Sequence, residues 1–174
     1  MRIQRLRSAD EPIYAQAMEL YQHSFPFYEQ REANSQHQIL SHRQYHFGLI
    51  LEDDAFAGLM LYWETETFLY VEHFCMLPER RGQGLGRMAL ELLGEAGKPI
   101  ILENDPPVDD IAKRRKGFYQ RAGFTANPYP HVHPPYHAGH RGHDLVVMSS
   151  PAQLSQEEYD SFALYLSRTV MEQA

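Results

Sequence analysis

Cysteine is almost absent from this sequence, since Cys75 is the only one among 174 residues. A single cysteine excludes an internal disulfide framework and a zinc cluster built on several thiolates. No window approaches the roughly 18 uninterrupted apolar residues that a membrane span needs, and the N-terminus lacks the apolar stretch of a signal peptide. We therefore expect a soluble, cytoplasmic protein without a membrane partner, in which Cys75 is a buried strand residue rather than an acyl carrier.

Positive charge is also scarce. The chain has 16 Lys and Arg against 23 Asp and Glu, for a formal net charge of -7. Nonspecific binding to nucleic acid depends on neutralising phosphates, so this balance predicts no nucleic-acid partner. The acidic surface favours a cationic acceptor only weakly, because many soluble proteins carry similar charge. The length, the hydrophobic fraction of 43% and the absence of a repeat or linker predict one domain over residues 1–174.

The hydrophobic pattern predicts a chain of mixed strands and helices. Apolar and alternating runs predict strands at 2–7, 45–51, 56–63, 68–77, 100–102 and 145–148. Helical spacing and capping residues predict helices that begin near residue 12, span 29–40, follow the glycine-rich segment up to 96, begin at 109 or 110, and begin after Ser155. Residues 125–142 are rich in Pro, His, Tyr and Gly and are predicted to form a long irregular loop, a type of segment that is often functional.

A glycine-rich segment, Arg81-Gly82-Gln83-Gly84-Leu85-Gly86, joins the strand at 68–77 to the following helix. Its glycines allow the backbone to approach a ligand closely, and the helix N-terminus offers unpaired N–H groups and a positive dipole end. Arg81 and Arg87 can add charge-assisted hydrogen bonds, so a pyrophosphate would fit. A dinucleotide fingerprint needs glycine or alanine where Arg87 stands, and a Walker loop needs a Lys-Ser or Lys-Thr that is missing here.

Two motifs in this order resemble the GNAT acetyltransferases. The glycine-rich segment matches that family's Q/R-x-x-G-x-G/A signature, and Phe118-Tyr119-Gln120-Arg121-Ala122-Gly123-Phe124 is similar to its F-Y-x-x-x-G-F segment. The resemblance covers roughly residues 45–148. It implies an α/β (α+β) fold with a central mixed, mostly antiparallel sheet, a V-shaped split between strands 4 and 5, and helices on both faces. Dimerisation is common in this family, so a homodimer is left open.

The resemblance implies acetyl-coenzyme A as co-substrate, bound in the split with its pyrophosphate on the glycine-rich loop. Backbone groups of the fourth strand would hold the pantetheine arm like an added strand. Many family members place an asparagine seven residues before the motif tyrosine, where this chain has Ala112, and Arg115 is a candidate to compensate. The expected cofactor-binding residues are Phe74, Cys75, Met76, Arg81, Gly82, Gln83, Gly84, Leu85, Gly86, Arg87 and Arg115.

The implied reaction is direct attack of a neutral primary amine on the thioester in a ternary complex. Tyr119 is the expected proton donor to the departing thiolate, the alternative being that it only packs against the sheet. Glu72 and Glu103 are the candidate bases, each with a pKa expected to be raised by burial, or else a structural acceptor. Glu72 is slightly preferred because period-two geometry places it on the same face of its strand as Met76.

The acceptor side is less clearly marked. Five histidines, at 131, 133, 137, 140 and 143, suggest a metal, but their spacing is interrupted by prolines and glycines, and we expect no metal site. A lid built from Tyr129, Tyr136 and some of these histidines, with Phe27, Tyr28 and Arg31 opposite, is the preferred interpretation. An antibiotic, a polyamine, an amino acid and a protein N-terminus all stay open as acceptors. The alternatives to an enzyme of this class are a non-catalytic acyl-coenzyme A-binding regulatory module and a metal-dependent hydrolase.

Overall fold

A computed structural model describes residues 1–174 and contains one seven-stranded sheet. The strands lie in the order β1-β2-β3-β4-β5-β9-β6, and all neighbours are antiparallel except β4 and β5. A separate two-stranded ribbon pairs β7 with β8. The strands are β1 Arg2–Leu6, β2 Tyr45–Glu52, β3 Ala55–Glu64, β4 Leu69–Met76, β5 Ile100–Asn104, β6 Thr125–Ala126, β7 Val132–His133, β8 His143–Asp144 and β9 Val146–Ser150.

Helices cover both faces of the sheet. One buried cluster joins the sheet to α1 and α5, with Leu20 and Phe162 as members, and the other joins it to α3 and α4, with Leu90 and Tyr119 as members. No helix is long and apolar enough to cross a membrane. The α-helices are α1 Tyr14–Ser24, α2 Ala33–Gln38, α3 Leu85–Gly94, α4 Asp110–Arg121 and α5 Gln156–Tyr165, the last followed by a π-helical turn, Leu166–Val170.

The sheet splits between its two parallel strands. β4 and β5 pair only at Leu69 with Ile100, Tyr70 with Ile101 and Val71 with Leu102. Beyond these pairs β4 continues beside β3 and β5 continues beside β9, so the strands part in a V. The mixed, mostly antiparallel sheet, the split and the helices on both faces confirm the predicted fold class. Glu72 and Glu103 are the first residues past the last pair and therefore stand at the apex of the split.

A β-bulge in β4 changes which residues share a face. Leu61 pairs with His73 while the next residue, Tyr62, pairs with Val71, so Glu72 is an extra residue without a partner on β3. A bulge reverses the alternation of side chains beyond it. Tyr70 therefore packs in the core on the α1 side while Met76 packs on the α3 side. The period-two prediction that Glu72, Tyr70 and Met76 share one face was wrong, and the preference for Glu72 loses that basis.

Several predicted boundaries were wrong. The first helix begins at Tyr14 after a turn in which Glu11 accepts the backbone N–H groups of Arg7 and Ser8, so Pro12 lies before it. The predicted helix over 29–40 is a short α2 flanked by 3-10 turns at Phe27–Glu29 and Ile39–Ser41. The segment 125–142 is not wholly irregular, because β6 adds to the sheet edge and β7 pairs with β8.

The predicted helix termini of the second half of the chain are present. Asp109 caps α4 by accepting the Ala112 N–H at 2.8 Å, and Gly123 takes a left-handed φ of 89° after that helix. Ser155 and Glu158 form a reciprocal capping box at the start of α5. These local signals could be read from sequence because a cap depends on residues only three apart.

Candidate active site

The split opens into a cleft of about 1000 Å³. Its walls come from β4, β5, α3, α4, the segment after α1 and the β7–β8 ribbon. Ten of the eleven expected cofactor-binding residues line it or its mouth, Gln83 being the exception. Tyr119, Glu72 and Glu103 line the same cleft. The structure thus brings together residues that lie far apart in sequence.

The glycine-rich loop at the mouth of the cleft has the geometry of an anion site. Gly82 and Gly84 have φ angles of 73° and 80°, a region that residues with side chains rarely adopt. No atom lies within 4 Å of the position that a Cβ would occupy at either glycine, so the loop is open for a ligand. Gly84 is the N-cap of α3 and has no side chain, and therefore the first N–H groups of that helix are left uncapped.

The arginines around the loop differ in how far they are already engaged. Arg81 donates from Nε to the Met76 carbonyl oxygen at 3.2 Å, which ties the loop to the end of β4. Arg87 donates to Glu91 one turn along α3 at 2.7 Å, in an exposed pair. Arg115 on α4 pairs with Asp105 at 2.7 Å beside the cleft. All three line the cleft. Arg87 and Arg115 are available to an anion once their exposed ion pairs open, and Arg81 is bound through Nε only, which leaves the rest of its guanidinium free to donate.

Tyr119 reaches the cleft from α4. Its ring is buried among Phe118 and Phe124, with ring centroids 5.2 and 5.8 Å away. Burial raises the pKa of Tyr119 to about 12, so the phenol keeps its proton at neutral pH. The Tyr119 hydroxyl has no hydrogen-bond partner within the protein and is not sealed from the cleft. A protonated, unengaged hydroxyl can give a proton to a ligand atom.

Glu72 is held in a buried ion pair. Its carboxylate accepts from Arg31 at 2.9 Å, from Tyr136 at 2.8 Å and from the Trp63 indole at 2.7 Å, and neither Glu72 nor Arg31 exposes its side chain. Burial acts to raise the pKa of Glu72, but Arg31 foremost, with His73 and the two hydrogen bonds, lowers it below the ordinary value. The expected rise of this pKa was wrong, because no local pattern in the sequence indicates that Arg31 pairs with Glu72, 41 positions away.

Glu103 has a different set of partners. One oxygen accepts the Tyr70 hydroxyl at 2.5 Å and lies 3.8 Å from Nε2 of His133, and the other accepts from His131. Burial acts to raise its pKa, but the nearby histidines and the hydrogen bonds lower it, so the expected rise was wrong here too. No Lys or Arg pairs with Glu103. Both candidate carboxylates are therefore ionised at neutral pH, but only that of Glu72 is matched by a permanent cation.

The histidine-rich segment serves several separate contacts. His131 joins Glu103 to Tyr159, His137 stacks on Phe27 at 4.0 Å and pairs with Glu32, and His133 and His143 line the cleft. No three His, Cys, Asp or Glu side chains are placed so that they could hold a metal ion.

The predicted acceptor lid is only partly present. Tyr136 and Tyr28 line the cleft, whereas Tyr129 packs on Tyr159 and donates to the Leu154 carbonyl oxygen outside it. Phe27 is 64% exposed, on the outer side of His137, and does not line the cleft. Arg31 lies beneath the wall as the partner of Glu72. The predictions for Tyr129 and Phe27 as lining residues were wrong.

Sequence reasoning missed Asn104 and did not single out His133 from the other histidines expected in the lid. Asn104, at the end of β5, is 2% exposed, and neither its amide nitrogen nor its amide oxygen has a partner. His133 has one ring nitrogen without a partner. A buried polar group without a partner is costly, so such a group beside a cleft is a candidate for a contact with a ligand or an ordered water. The only sequence signal for Asn104 was its place directly after a buried strand.

Cys75 lines the cleft but carries a weakly reactive thiol. It is half-buried, and burial raises the pKa of the thiol to about 11. The thiolate is the nucleophilic form, so a thiol with this pKa is poorly suited to carry an acyl group. Cys75 was expected to be a buried strand residue, and it lies in β4 but is only partly buried; that it is not an acyl carrier stays a prediction.

Comparison with known proteins decides the family. Residues 11–124 match the model of the acetyltransferase (GNAT) family. The chain belongs to the GNAT acetyltransferase family. A structure described as a GNAT-family acetyltransferase from Bacteroides thetaiotaomicron is 34% identical, with a TM-score of 0.92 and 98% of each chain covered. The protein is therefore an acyltransferase, and acetyl-coenzyme A is the co-substrate of its family.

One curated protein and one further solved structure are also similar to this chain. The Bacillus subtilis protein named "Putative acetyltransferase YjbC" is 30% identical over 104 residues, which is 58% of this chain and 52% of that protein, so the alignment spans about half the length of this curated relative. A Bacillus subtilis acetyltransferase solved in complex with coenzyme A is 14% identical, with a TM-score of 0.55 over 85% of this chain and 96% of that one. At that identity the second likeness concerns the fold alone.

Proposed function

We propose that this acetyltransferase transfers the acetyl group of acetyl-coenzyme A to a primary amine of a small molecule or peptide, by direct attack in a ternary complex. The observation that carries the proposal is one continuous cleft that joins an uncapped, glycine-rich helix N-terminus to the unengaged hydroxyl of Tyr119 and the apex of the split sheet. This arrangement provides an anion site, a proton donor and two carboxylates along the path of an extended thioester.

The cofactor would enter at the loop and run toward the apex. Its pyrophosphate would accept from the N–H groups at the start of α3, which the dipole of that helix also favours, with Arg81, Arg87 and Arg115 as neighbouring cations. The pantetheine arm would lie along β4 past Val71, where the edge that faces β5 has no strand partner. The free amide of Asn104 lies on the opposite side of the split and can pair with an amide of that arm.

Different residues at the apex would assist the leaving thiolate and the attacking amine. Tyr119 would give its proton to the sulfur as the carbon–sulfur bond breaks. Glu103 would supply negative charge on the side where the amine loses a proton, because its charge is not matched by Lys or Arg. Glu72 is a weaker candidate for the base, since three hydrogen bonds and the Arg31 pair already stabilise its ionised form.

The acceptor side is lined by carboxylate, imidazole and phenol groups, including Glu29, His143, Asp144 and Tyr28. Such a surface suits a polar amine that carries further hydrogen-bonding groups. It is compatible with an amino sugar, a polyamine, an amino acid or a peptide N-terminus.

The test is calorimetric titration with acetyl-coenzyme A, followed by an assay of thiol release with kanamycin, spermidine, serine and an alanine-initiated peptide. We expect the unaltered protein to bind acetyl-coenzyme A, the Arg81→Glu, Gly84→Asp double variant not to bind it, and at least one amine to be acetylated. Absence of binding would overturn the proposal. Binding without acetylation of any amine would instead identify a non-catalytic acyl-coenzyme A-binding module.

A further inference from the structure

The tautomer of His133 is fixed by a backbone contact. Its Nδ1 lies 2.6 Å from the carbonyl oxygen of Pro134. A carbonyl oxygen can only accept, so Nδ1 carries the hydrogen, and the Nε2 of the neutral ring then bears an unshared electron pair. This nitrogen has no hydrogen-bond partner, and the side chain is only 4% exposed. The His133 side chain therefore forms part of the cleft wall, while Nε2 itself is sealed from solvent, so this basic nitrogen reaches a ligand in the cleft only when the ring shifts toward it.

A carboxylate faces Nε2 of His133. Nε2 lies 3.8 Å from a Glu103 oxygen, so a positive charge formed on this ring during the reaction would lie beside a negative one. The remaining contacts of Glu103 come from Tyr70 and His131 and include no Lys or Arg. Glu103 is also the first β5 residue beyond the pairing with β4, which sets this pair at the apex of the split.

His73, on β4, also has a ring nitrogen without a hydrogen-bond partner, but its surroundings are less suited to a base. Its Nε2 donates to the Glu29 carbonyl oxygen at 2.7 Å, and its free Nδ1 lies 4.0 Å from Glu72. Arg31, however, pairs with that same Glu72 oxygen and would repel an imidazolium. The ring is also packed edge-on to Tyr21 and Phe25, with centroids 5.0 and 4.7 Å away. The His73 ring is therefore better suited to packing.

We propose that Nε2 of His133 is the general base of the acetyl transfer, an assignment that rests on the proposed function. As the amine nitrogen bonds to the thioester carbonyl carbon, one N–H proton passes to Nε2, whose electron pair forms the new N–H bond. The carbon–sulfur bond breaks, its electron pair goes to the sulfur, and the sulfur takes the proton of Tyr119. The products are the acetamide and coenzyme A, and one proton returned through water from the His133 imidazolium to the Tyr119 phenolate restores both groups.

The β7–β8 ribbon would then position the general base, because it carries His133. His133 pairs with His143 across the ribbon, and both side chains line the cleft. Gly142, beside the ribbon, leaves room for this approach, because a Cβ there would lie 2.7 Å from the His133 carbonyl oxygen. The histidine-rich segment would therefore bring the base to the acceptor side of the cleft.

The experiment compares His133→Gln, His133→Ala and His73→Gln with His37→Gln, a control on an exposed position of α2. Each variant is first checked for its circular dichroism melting curve and for acetyl-coenzyme A affinity by calorimetry. Transfer is then measured with the fastest of kanamycin, spermidine, serine and the alanine-initiated peptide. We expect His133→Gln to keep its affinity for acetyl-coenzyme A and to lose about 100-fold or more of kcat, the usual effect of losing a general base.

Two further readouts separate a chemical role from a structural one. Free imidazole added to His133→Ala should restore part of the lost rate and should not accelerate His37→Gln. The ¹⁵N spectrum of the histidine rings, assigned with His133→Gln, should show His133 with a hydrogen on Nδ1 and none on Nε2.

A hydrogen on Nε2, or a kcat for His133→Gln close to that of the unaltered protein, would overturn the assignment. Loss of transfer in His73→Gln but not in His133→Gln would identify His73, on β4, as the base instead of His133. Absence of transfer by the unaltered protein with all four amines would overturn the proposed function itself and His133 with it.

Discussion

Tyr119 combines three properties at one atom: a burial-raised pKa of about 12, no hydrogen-bond partner in the protein, and a place in the cleft wall. The Tyr119→Phe variant should therefore lose kcat by ~100-fold or more, because the thiolate would leave without a proton, while its acetyl-coenzyme A affinity stays the same. Steady-state kinetics and calorimetry measure the two effects. The control is Tyr165→Phe, which removes a hydroxyl bonded to Gln44 outside the cleft and should leave kcat unchanged. Equal kcat in both variants would exclude Tyr119 as the proton donor.

Arg31 and Glu72 form the most deeply buried ion pair of the molecule. Removal of one partner leaves the other charge buried and unpaired, so Arg31→Met and Glu72→Gln should each lower the free energy of unfolding by about 3 to 5 kcal/mol. The double variant should lose less free energy of unfolding than the two single variants lose together, because no unpaired charge remains. Urea unfolding of the four proteins measures this cycle. Additive losses would show that the two side chains do not act as a pair.

The same pair sets the direction of the acid response. The folded-state pKa of Glu72 lies below its ordinary value of 4.5, so its contribution to stability is present above pH 4.5 and is lost as the pH falls through the folded-state value. Glu103 acts in the same direction. The urea concentration at the midpoint of unfolding should therefore decrease as the pH is lowered below 4.5. This decrease should be less steep in Glu72→Gln, which lacks one of the two groups.

At the level of elements, the loop between β4 and α3 depends on backbone conformation rather than on side chains. Gly84 has a φ of 80° at the N-cap of α3, and Gly97 has a φ of 71° in the turn before β5, and both have open space where a Cβ would be. Alanine at either position should cost about 1 to 2 kcal/mol of stability, since the left-handed conformation is strained for residues with a Cβ. Only Gly84→Ala should also weaken acetyl-coenzyme A binding, because Gly97 lies outside the cleft. Calorimetry on both variants separates strain from ligand contact, and equal affinities would contradict an anion site at this loop.

The elements also show what the sequence could reveal. The Ser155 capping box, the Asp109 cap and the main strands were predictable because their signals lie within a few residues of one another. The bulge at Glu72 was not, because it depends on how β3 and β4 align across the sheet. The Arg31 pair and the His131 and His133 contacts join residues that are 28 or more positions apart. The sequence could therefore indicate two carboxylates that line the cleft, but it predicted their pKa shifts with the wrong sign.

At the scale of the whole molecule, the two halves of the sheet are joined by a short seam. β4 and β5 share three residue pairs, whereas β2 and β3 share eight. Each half has its own support, since β1 to β4 are antiparallel neighbours and β5 pairs with β9 along its whole length. A ligand in the split would therefore contact both halves and add interactions where the protein itself has few.

This arrangement predicts where acetyl-coenzyme A changes hydrogen exchange. Amides of β4 from Glu72 to Met76 and of residues 82–87 should exchange more slowly with ligand, because the first have an unpaired edge and the second surround an uncapped helix N-terminus. Amides in the middle of β2 and β3 should keep their rates, since both strands are already paired on each side. Mass-spectrometric exchange with and without acetyl-coenzyme A measures this pattern, with the Arg81→Glu, Gly84→Asp variant as control. Slowing spread evenly over the sheet would indicate global stabilisation by a ligand bound elsewhere, whereas slowing confined to both named segments would place the cofactor along the β4 side of the split.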